Sequence, residues 1–239
     1  MTEKTELAEQ FAAGKLLLID KPLHWTSFDA VSKVKSLLKH KLGLKKIKVG
    51  HAGTLDPLAS GLLIICTGKM TRQIDVYQAQ EKEYTGTFFI GATTPSSDLE
   101  TKPDQTYPTE HISRDLMEET IKENFTGTLQ QVPSLFSAKK IEGKRAYEHA
   151  RAGNQIELKA NEIIIHDYEI TRFELPEADF RVVCSKGTYI RSLARDLGRQ
   201  LQSGAYLKTL RRTRIGDISV EQAISIEDFE RQILEAIAD

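Results

Sequence analysis

Cysteine and long apolar runs are scarce in this sequence, and each shortage excludes a class of protein. Only two cysteines, Cys66 and Cys184, occur among 239 residues, and both lie in apolar, strand-like segments. The sequence has no CxxC pair and we expect no signal peptide, which favours a reduced protein over a disulfide-stapled secreted domain. No apolar run reaches the roughly 20 residues that a membrane-spanning helix needs. We therefore expect a reduced, cytoplasmic protein that does not enter a membrane.

The sequence also lacks histidines and cysteines at metal-ligand spacing, and its net charge is close to zero. The six histidines are scattered, and none is paired at helical spacing with another ligand, so we expect no metal and no cofactor. The formal net charge is −1, but the basic residues are segregated into three clusters, at 33–48, 139–145 and 208–214. Such segregation permits a basic face on a neutral protein, which is typical of proteins that bind a phosphate backbone. Each cluster taken alone is better interpreted as a solvated surface.

Composition and pattern together predict the fold class. With 40% hydrophobic and 28% charged residues, the chain can bury a core large enough to fold without staples. Predicted strands and helices alternate irregularly, without a strict βαβ repeat, which indicates an α+β fold with a mixed sheet surrounded by helices. We expect one domain over 1–239, within which residues 95–155 could form a small inserted subdomain.

Local patterns place the individual elements. Alternating or continuous apolar runs predict strands at 15–20, 47–49, 62–66, 84–90, 162–175, 180–184 and 206–214. Capping residues and apolar periodicity predict helices that begin at Thr26 or Ser27, at Thr71, after Ser113, at Lys144, at Tyr189 and after Ser225.

The stretch Val49–Gly61 places polar and flexible residues between two apolar runs. It contains a single carboxylate, Asp56, a single imidazole, His51, and three glycines. Pro57 disfavours the helical region for Asp56, and the glycines allow close approach of another molecule. A charged side chain on a constrained loop beside core structure is a common layout for catalytic groups. An ordinary Asp-Pro turn is the alternative interpretation.

A stripe of arginines is the second candidate feature. Arg191, Arg195 and Arg199 recur every four residues and so share one face of a predicted helix. If Arg191 faces a cleft, its guanidinium could orient Asp56 and keep it ionised. The alternative is a solvated helix face whose arginines are partly paired with Asp196.

Four other side chains could contact a nucleic acid. Tyr84 and Tyr189 flank a strand end and a helix start, where an aromatic face could stack on a splayed-out base. Lys21 and His51 border the proline- and glycine-containing loops and could contact phosphate or base. Tyrosines at the rim of a core and polar residues in loops are equally ordinary without any ligand.

The segment His51–Gly61 (HAGTLDPLASG) resembles the catalytic motif of the TruB-type pseudouridine synthases, bacterial enzymes that make pseudouridine 55 in transfer RNA. Four further blocks resemble the family in its own order: Lys21–Ser27, Gln131–Lys144, Val183–Arg191 and Leu210–Thr213. Agreement of five ordered blocks, from about Leu16 to about Ile218, outweighs the structural alternatives given above.

The resemblance implies a fold, an activity and roles for matching residues. It implies the pseudouridine synthase fold, with a mixed, mostly antiparallel sheet, and an enzyme that acts on the T-arm of tRNA. We expect a monomer. Asp56 would be the catalytic aspartate, Tyr84 would stack on the target uracil and Arg191 would pair with Asp56. Three positions would contact the flipped nucleotide or frame its pocket: His51, Tyr189 and Leu210. Lys21 matches a motif lysine near the site.

Two departures and several alternatives accompany the resemblance. His24 stands where the family usually has glycine, so we expect a differently shaped turn there. Longer relatives continue into a PUA-type RNA-binding domain, which we do not expect in full within 1–239. Asp56 could act as a nucleophile at C1′ or as a base on the sugar. The alternative functions are a pseudouridine synthase for another RNA, a non-catalytic tRNA-folding factor, and a nucleoside hydrolase.

Overall fold

The computed structural model describes residues 3–134, 136, 140–141, 144–145 and 158–238. Its chain divides into two compact units, Met1–Glu83 with Arg211–Asp239, and Tyr84–Leu210. The α-helices are α1 (Glu3–Ala13), α2 (Ser27–Lys41), α3 (Ile74–Ala79), α4 (Arg114–Asn124), α5 (Ile190–Gln200) and α6 (Ile226–Glu235). The strands are β1 (Leu16–Lys21), β2 (Val49–His51), β3 (Ala59–Thr67), β4 (Lys82–Ile90), β5 (Ala92–Thr93), β6 (Gln105–Thr106), β7 (Gly127–Gln131), β8 (Lys140–Ile141), β9 (Lys144–Arg145), β10 (Asn161–Glu174), β11 (Glu177–Cys184), β12 (Ala205–Ile215) and β13 (Ile218–Ser219).

The first unit is built around β3. This strand pairs antiparallel with β1 along its length and with β2 at its end, where Val49 lies opposite Thr67. Alternate residues of β3 enter different apolar clusters: Leu63 and Ile65 pack toward α2 and α6, whereas Leu62 and Ile64 pack on the opposite side. Because both faces are covered, β3 is a nearly continuous apolar run, as the sequence predicted.

The second unit carries the antiparallel strands β11, β10 and β7. Ile165 lies opposite Cys184 in the β10–β11 pair, and Asn161 lies opposite Gln131 in the β10–β7 pair. Phe88 of β4 stacks on Phe180 of β11 with ring centroids 4.0 Å apart. The α4 helix packs against β10 and α5. The result is the mixed α+β arrangement, with a mostly antiparallel sheet and surrounding helices, that the sequence predicted.

Most predicted elements are confirmed, with specific exceptions. The helix predicted from Lys144 is wrong at its start, because Lys144–Arg145 pairs with Lys140–Ile141 as a small hairpin; residues 146–151 lie outside the described ranges. The predicted helix at 71–77 divides into a 3₁₀ turn, Gly68–Gln73, and α3. Strand β7 was not predicted. The single domain with an inserted 95–155 subdomain stays a prediction.

No helix in the described part of the chain is long and apolar enough to span a membrane. Likewise, the described residues contain no cluster of three histidine, cysteine or carboxylate side chains that could hold a metal ion.

Candidate active site

Asp56 lies in the first unit on the loop that joins β2 to β3, and its side chain is partly buried. The loop begins where the Ala52 amide donates to the Ile64 carbonyl at 2.9 Å and ends where the Ala59 amide donates to the Asp56 carbonyl at 3.0 Å. Ala52 and Leu55 are buried on the core side. The carboxylate is therefore presented by a loop that both backbone pairing and apolar packing hold in place.

The start of α2 holds the backbone on both sides of Asp56. The Leu55 amide donates to Ser27 Oγ at 2.8 Å, and the same hydroxyl donates to the Leu55 carbonyl at 3.2 Å. On the other side, the His24 amide donates to the Pro57 carbonyl at 2.7 Å. The N-terminal block and the aspartate block of the sequence therefore form one hydrogen-bonded structure.

The turn before α2 has an unusual backbone. His24 has φ = 67°, in the left-handed region that glycine adopts without strain. His24 therefore occupies a backbone conformation that glycine would also accept. Thr26 then caps α2, because its hydroxyl accepts from the Asp29 amide while the Asp29 carboxylate accepts from the Thr26 amide.

Lys21 is a buried cation beside this loop. Its Nζ donates to the carbonyls of Pro22 at 2.8 Å and Trp25 at 2.6 Å, so it holds the turn from inside. Burial lowers its pKa from 10.5 to about 8, an effect that the negative charge of Asp56 opposes and the charge of Arg212 reinforces. Lys21 is thus mostly protonated at neutral pH and contributes a positive charge near Asp56.

Arg212 is a second buried cation, which the sequence placed only in a basic cluster. Its Nε donates to the Leu62 carbonyl at 2.7 Å, and Nη2 donates to the Gly53 carbonyl at 3.1 Å, so it ties β3 to the Asp56 loop. Gly61 has φ = 104°, and a Cβ there would lie 2.3 Å from the Arg212 carbonyl. The sequence does not distinguish Arg212 from its neighbours Arg211 and Arg214, because its burial follows from the tertiary structure.

His51 ends β2 next to the loop. Burial and the positive charge of Arg212 both lower the pKa of its imidazole, and a hydrogen bond with the Gly53 backbone opposes this shift. Its Nδ1 is buried and has no hydrogen-bond partner among the described residues.

The second unit contains the remaining predicted residues. Arg191 lies on the first turn of α5, buried, with Nη1 at 3.5 Å from Asp98 Oδ2 and Nη2 donating to the Phe136 carbonyl at 3.2 Å. Arg195 and Arg199, by contrast, both lie near Asp196, and Arg199 is largely exposed. Only the first arginine of the stripe is therefore held inside the protein.

Tyr189 caps α5 and is held by an amide side chain that the sequence did not single out. Gln131 accepts from the Tyr189 amide at 2.8 Å and donates to its carbonyl at 3.1 Å. Tyr84 is buried on β4, and Leu210 is partly buried on β12. The structure thus brings Lys21, His51 and Asp56 together in the first unit, whereas pairing of Asp56 with Arg191 stays a prediction.

The chain matches the model of the TruB family pseudouridylate synthase N-terminal domain over residues 39–190. It matches the tRNA pseudouridylate synthase B C-terminal domain over residues 191–238. The tRNA pseudouridine synthase B of Flavobacterium johnsoniae is 61% identical, covering 94% of this chain and 98% of the relative. That of Phocaeicola vulgatus is 56% identical over 92% of this chain and 93% of the relative.

Solved structures show the same fold. A chain in a Cbf5-Nop10-Gar1 complex is 27% identical with a TM-score of 0.70, covering 93% of this chain and 55% of that one. A chain in an H/ACA RNP bound to a substrate RNA containing 2′-deoxyuridine is 26% identical with a TM-score of 0.67, over 95% and 54%. This chain therefore spans about half the length of these two structural relatives. From the family models and the curated relatives together, the chain belongs to the TruB family of pseudouridylate synthases.

Proposed function

We propose that this enzyme converts uridine to pseudouridine at position 55, in the T-loop of tRNA, and that it acts in the cytoplasm as a monomer without a metal or cofactor. The observation that supports this best is the construction of the Asp56 loop. A carboxylate held at Leu55 and Pro57, with the buried ammonium of Lys21 near it, is a preorganised charged group. The curated relatives named for the same reaction support the choice of tRNA as substrate.

The proposed reaction is an isomerisation. The C1′–N1 bond of the target uridine breaks, the uracil turns, and a C1′–C5 bond forms while the proton on C5 is lost and N1 gains one. Asp56 either attacks C1′ as the ribose gains oxocarbenium character, or removes a sugar proton to give a glycal-like intermediate. Both routes use the carboxylate form of Asp56, and atoms balance without a redox partner.

The target base must leave the stack before it reacts. Extrusion costs a few kcal/mol of stacking, which an aromatic face can offset. We assign that stacking to Tyr84 and nucleotide contacts to Tyr189 and His51. Leu210 contributes an apolar frame, which excludes water so that the freed uracil rejoins rather than being replaced by hydroxide.

Arg191 is proposed to orient Asp56 when RNA is bound. Its guanidinium is already fixed by Asp98 and by the Phe136 carbonyl, so little side-chain entropy is lost when it acts. A fixed guanidinium can hold a carboxylate by two parallel hydrogen bonds, which sets its direction as well as its charge.

Asp56→Asn tests this function, with Asp217→Asn, an exposed aspartate in a turn, as the matched control. We expect Asp56→Asn to abolish pseudouridine formation on a tRNA transcript, while RNA affinity stays within about a few-fold, because one carboxylate contributes little to phosphate contact. Asp217→Asn should keep wild-type activity. Turnover retained by Asp56→Asn would refute the role of this residue.

The competing functions give different products in the same assay. A panel of other RNAs would reveal uridine isomerisation elsewhere if tRNA is not the substrate. Free uracil released from RNA would indicate a hydrolase. Binding and refolding of tRNA by the wild-type protein, without isomerisation, would indicate a folding factor.

A further inference from the structure

A groove of about 600 Å³ lies in the first unit, away from the Asp56 loop. It is lined by the end of α1, the loop after α2, the residues before β2 and the turn after β3, and it contains five exposed cations: Lys45, Lys46, Lys48, Lys69 and Arg72. We propose that this basic groove binds the phosphate backbone of the substrate RNA, at a distance from the nucleotide that reacts. That the occupant is tRNA rests on the proposed function.

Among the described residues, no side chain compensates the charge of the groove. No carboxylate is among the described residues that line it, and none of its five cations forms an ion pair with the described residues. Elsewhere, arginines have been neutralised: Arg172 pairs with Asp179, and Arg211 pairs with Asp20. Cations that line one groove and have no internal partner are the electrostatic signature of an anion-binding surface.

Two helix ends partly oppose this charge without cancelling it. Ala12 of α1 and Gly43, just beyond α2, both line the groove, so both helices direct their C-terminal ends toward it. Each end is equivalent to about half a negative charge, and five cations therefore leave a net charge of about +4. A polyanion is the ligand that such a charge favours.

The frame that carries these cations is tightly packed. The Gly68 amide donates to the Lys48 carbonyl at 2.9 Å, which ties two walls of the groove together. A Cβ on Gly68 would lie 2.3 Å from the Ala12 carbonyl, and a Cβ on Gly14 would lie 2.6 Å from the Met70 amide. Because the walls are fixed at backbone contact, binding would order only the lysine and arginine side chains.

The length of β3 sets the distance from the reacting nucleotide. Asp56 is hydrogen-bonded to Ala59 at one end of this nine-residue strand, and the groove begins beyond Thr67 at the other. Nine extended residues span about 30 Å. Because base pairs of A-form RNA are more closely spaced than the roughly 3.4 Å of B-form DNA, that distance corresponds to more than about nine base pairs of RNA duplex. A stem that runs from a target loop at Asp56 to the groove would need this length.

The test compares two substrates and two variants. The substrates are a full-length tRNA transcript and a hairpin of the T-arm with about five base pairs, too short for the stem of more than about nine that is required. The groove variant carries Lys45→Gln, Lys46→Gln and Lys48→Gln. The control variant removes the same charge from three exposed lysines that line no part of the groove, through Lys4→Gln, Lys102→Gln and Lys122→Gln.

We expect the wild-type and control proteins to prefer the full-length RNA, and the groove variant to lose that preference through an about ten-fold higher KM for the long RNA. The slope of log affinity against log salt for the long RNA should fall by about two to three in the groove variant, about one for each phosphate contact removed. An unchanged KM, or an equal loss in the control variant, would overturn the proposal. Absence of pseudouridine in both RNAs with the wild-type protein would instead refute the proposed function.

Discussion

Lys21→Met is the most informative change to the frame of the site, because Lys21 is a fully buried cation whose charged form burial destabilises. Burial lowers its pKa from 10.5 to about 8. Between these two pH values the unfolded chain binds more protons than the folded one, so the free energy of unfolding of the wild-type protein rises with pH across this window. Below pH 8 the full penalty is present.

The size of the effect follows from the shift. At 1.36 kcal/mol per pKa unit, the penalty relieved between pH 8 and 10.5 is about 3 kcal/mol. Methionine is similar in size and carries no charge, so it removes this pH dependence. It also removes the donor for the Pro22 and Trp25 carbonyls, which offsets the gain from removing a buried charge at neutral pH.

Urea unfolding between pH 7 and 10.5 measures the effect directly. Trp25 is the only tryptophan and lies in the turn that Lys21 holds, so its fluorescence reports on this unit. The free energy of unfolding of Lys21→Met minus that of the wild type should fall by about 3 kcal/mol between pH 8 and 10.5, because only the wild type gains stability there. Exposed Lys35→Met on α2 should track the wild type. A difference that is flat within about 0.5 kcal/mol, or that rises with pH, would refute the account of Lys21.

Two further changes probe the same frame. Ser27→Ala removes the hydroxyl that binds the Leu55 amide and carbonyl; it should destabilise the protein by about 1–3 kcal/mol and lower kcat by about ten- to a hundred-fold, because Asp56 is displaced. The control Ser36→Ala, on an exposed part of α2, should change neither stability nor kcat. A wild-type kcat in Ser27→Ala would show that the hydroxyl is not needed to position Asp56. His24→Gly should stabilise the protein by about 0.5–1 kcal/mol, because φ = 67° suits glycine; a lower melting temperature would mean that the imidazole makes a stabilising contact.

Short-range patterns predicted most of the fold, because they report local physics. The Thr26 cap and the apolar run of β3 depend on neighbours in sequence, and both were predicted correctly. Strand β7 was missed because its residues are polar, and backbone pairing with β10, far along the chain, defines it. The helix predicted from Lys144 fails at its first residues because a local hairpin pairs them with Lys140–Ile141.

The candidate site divides in the same way. The Asp56 loop could be recognised from sequence because its proline and glycines restrict the backbone locally. The groups that hold the site could not: Arg212, Asp98 and Gln131 act on partners tens of residues away in sequence. Such pairings follow from the tertiary structure, and the sequence shows only that the side chains are present.

The central claim, that Asp56 converts a uridine of tRNA, is tested most directly in cells that lack this protein. Pseudouridine is mapped in tRNA from these cells after complementation with the wild-type or the Asp56→Asn chain. The account predicts that position 55 carries pseudouridine with the wild-type chain and uridine with Asp56→Asn, at equal protein levels. Pseudouridine at position 55 in cells that carry only Asp56→Asn, or uridine there with the wild-type chain, would contradict it.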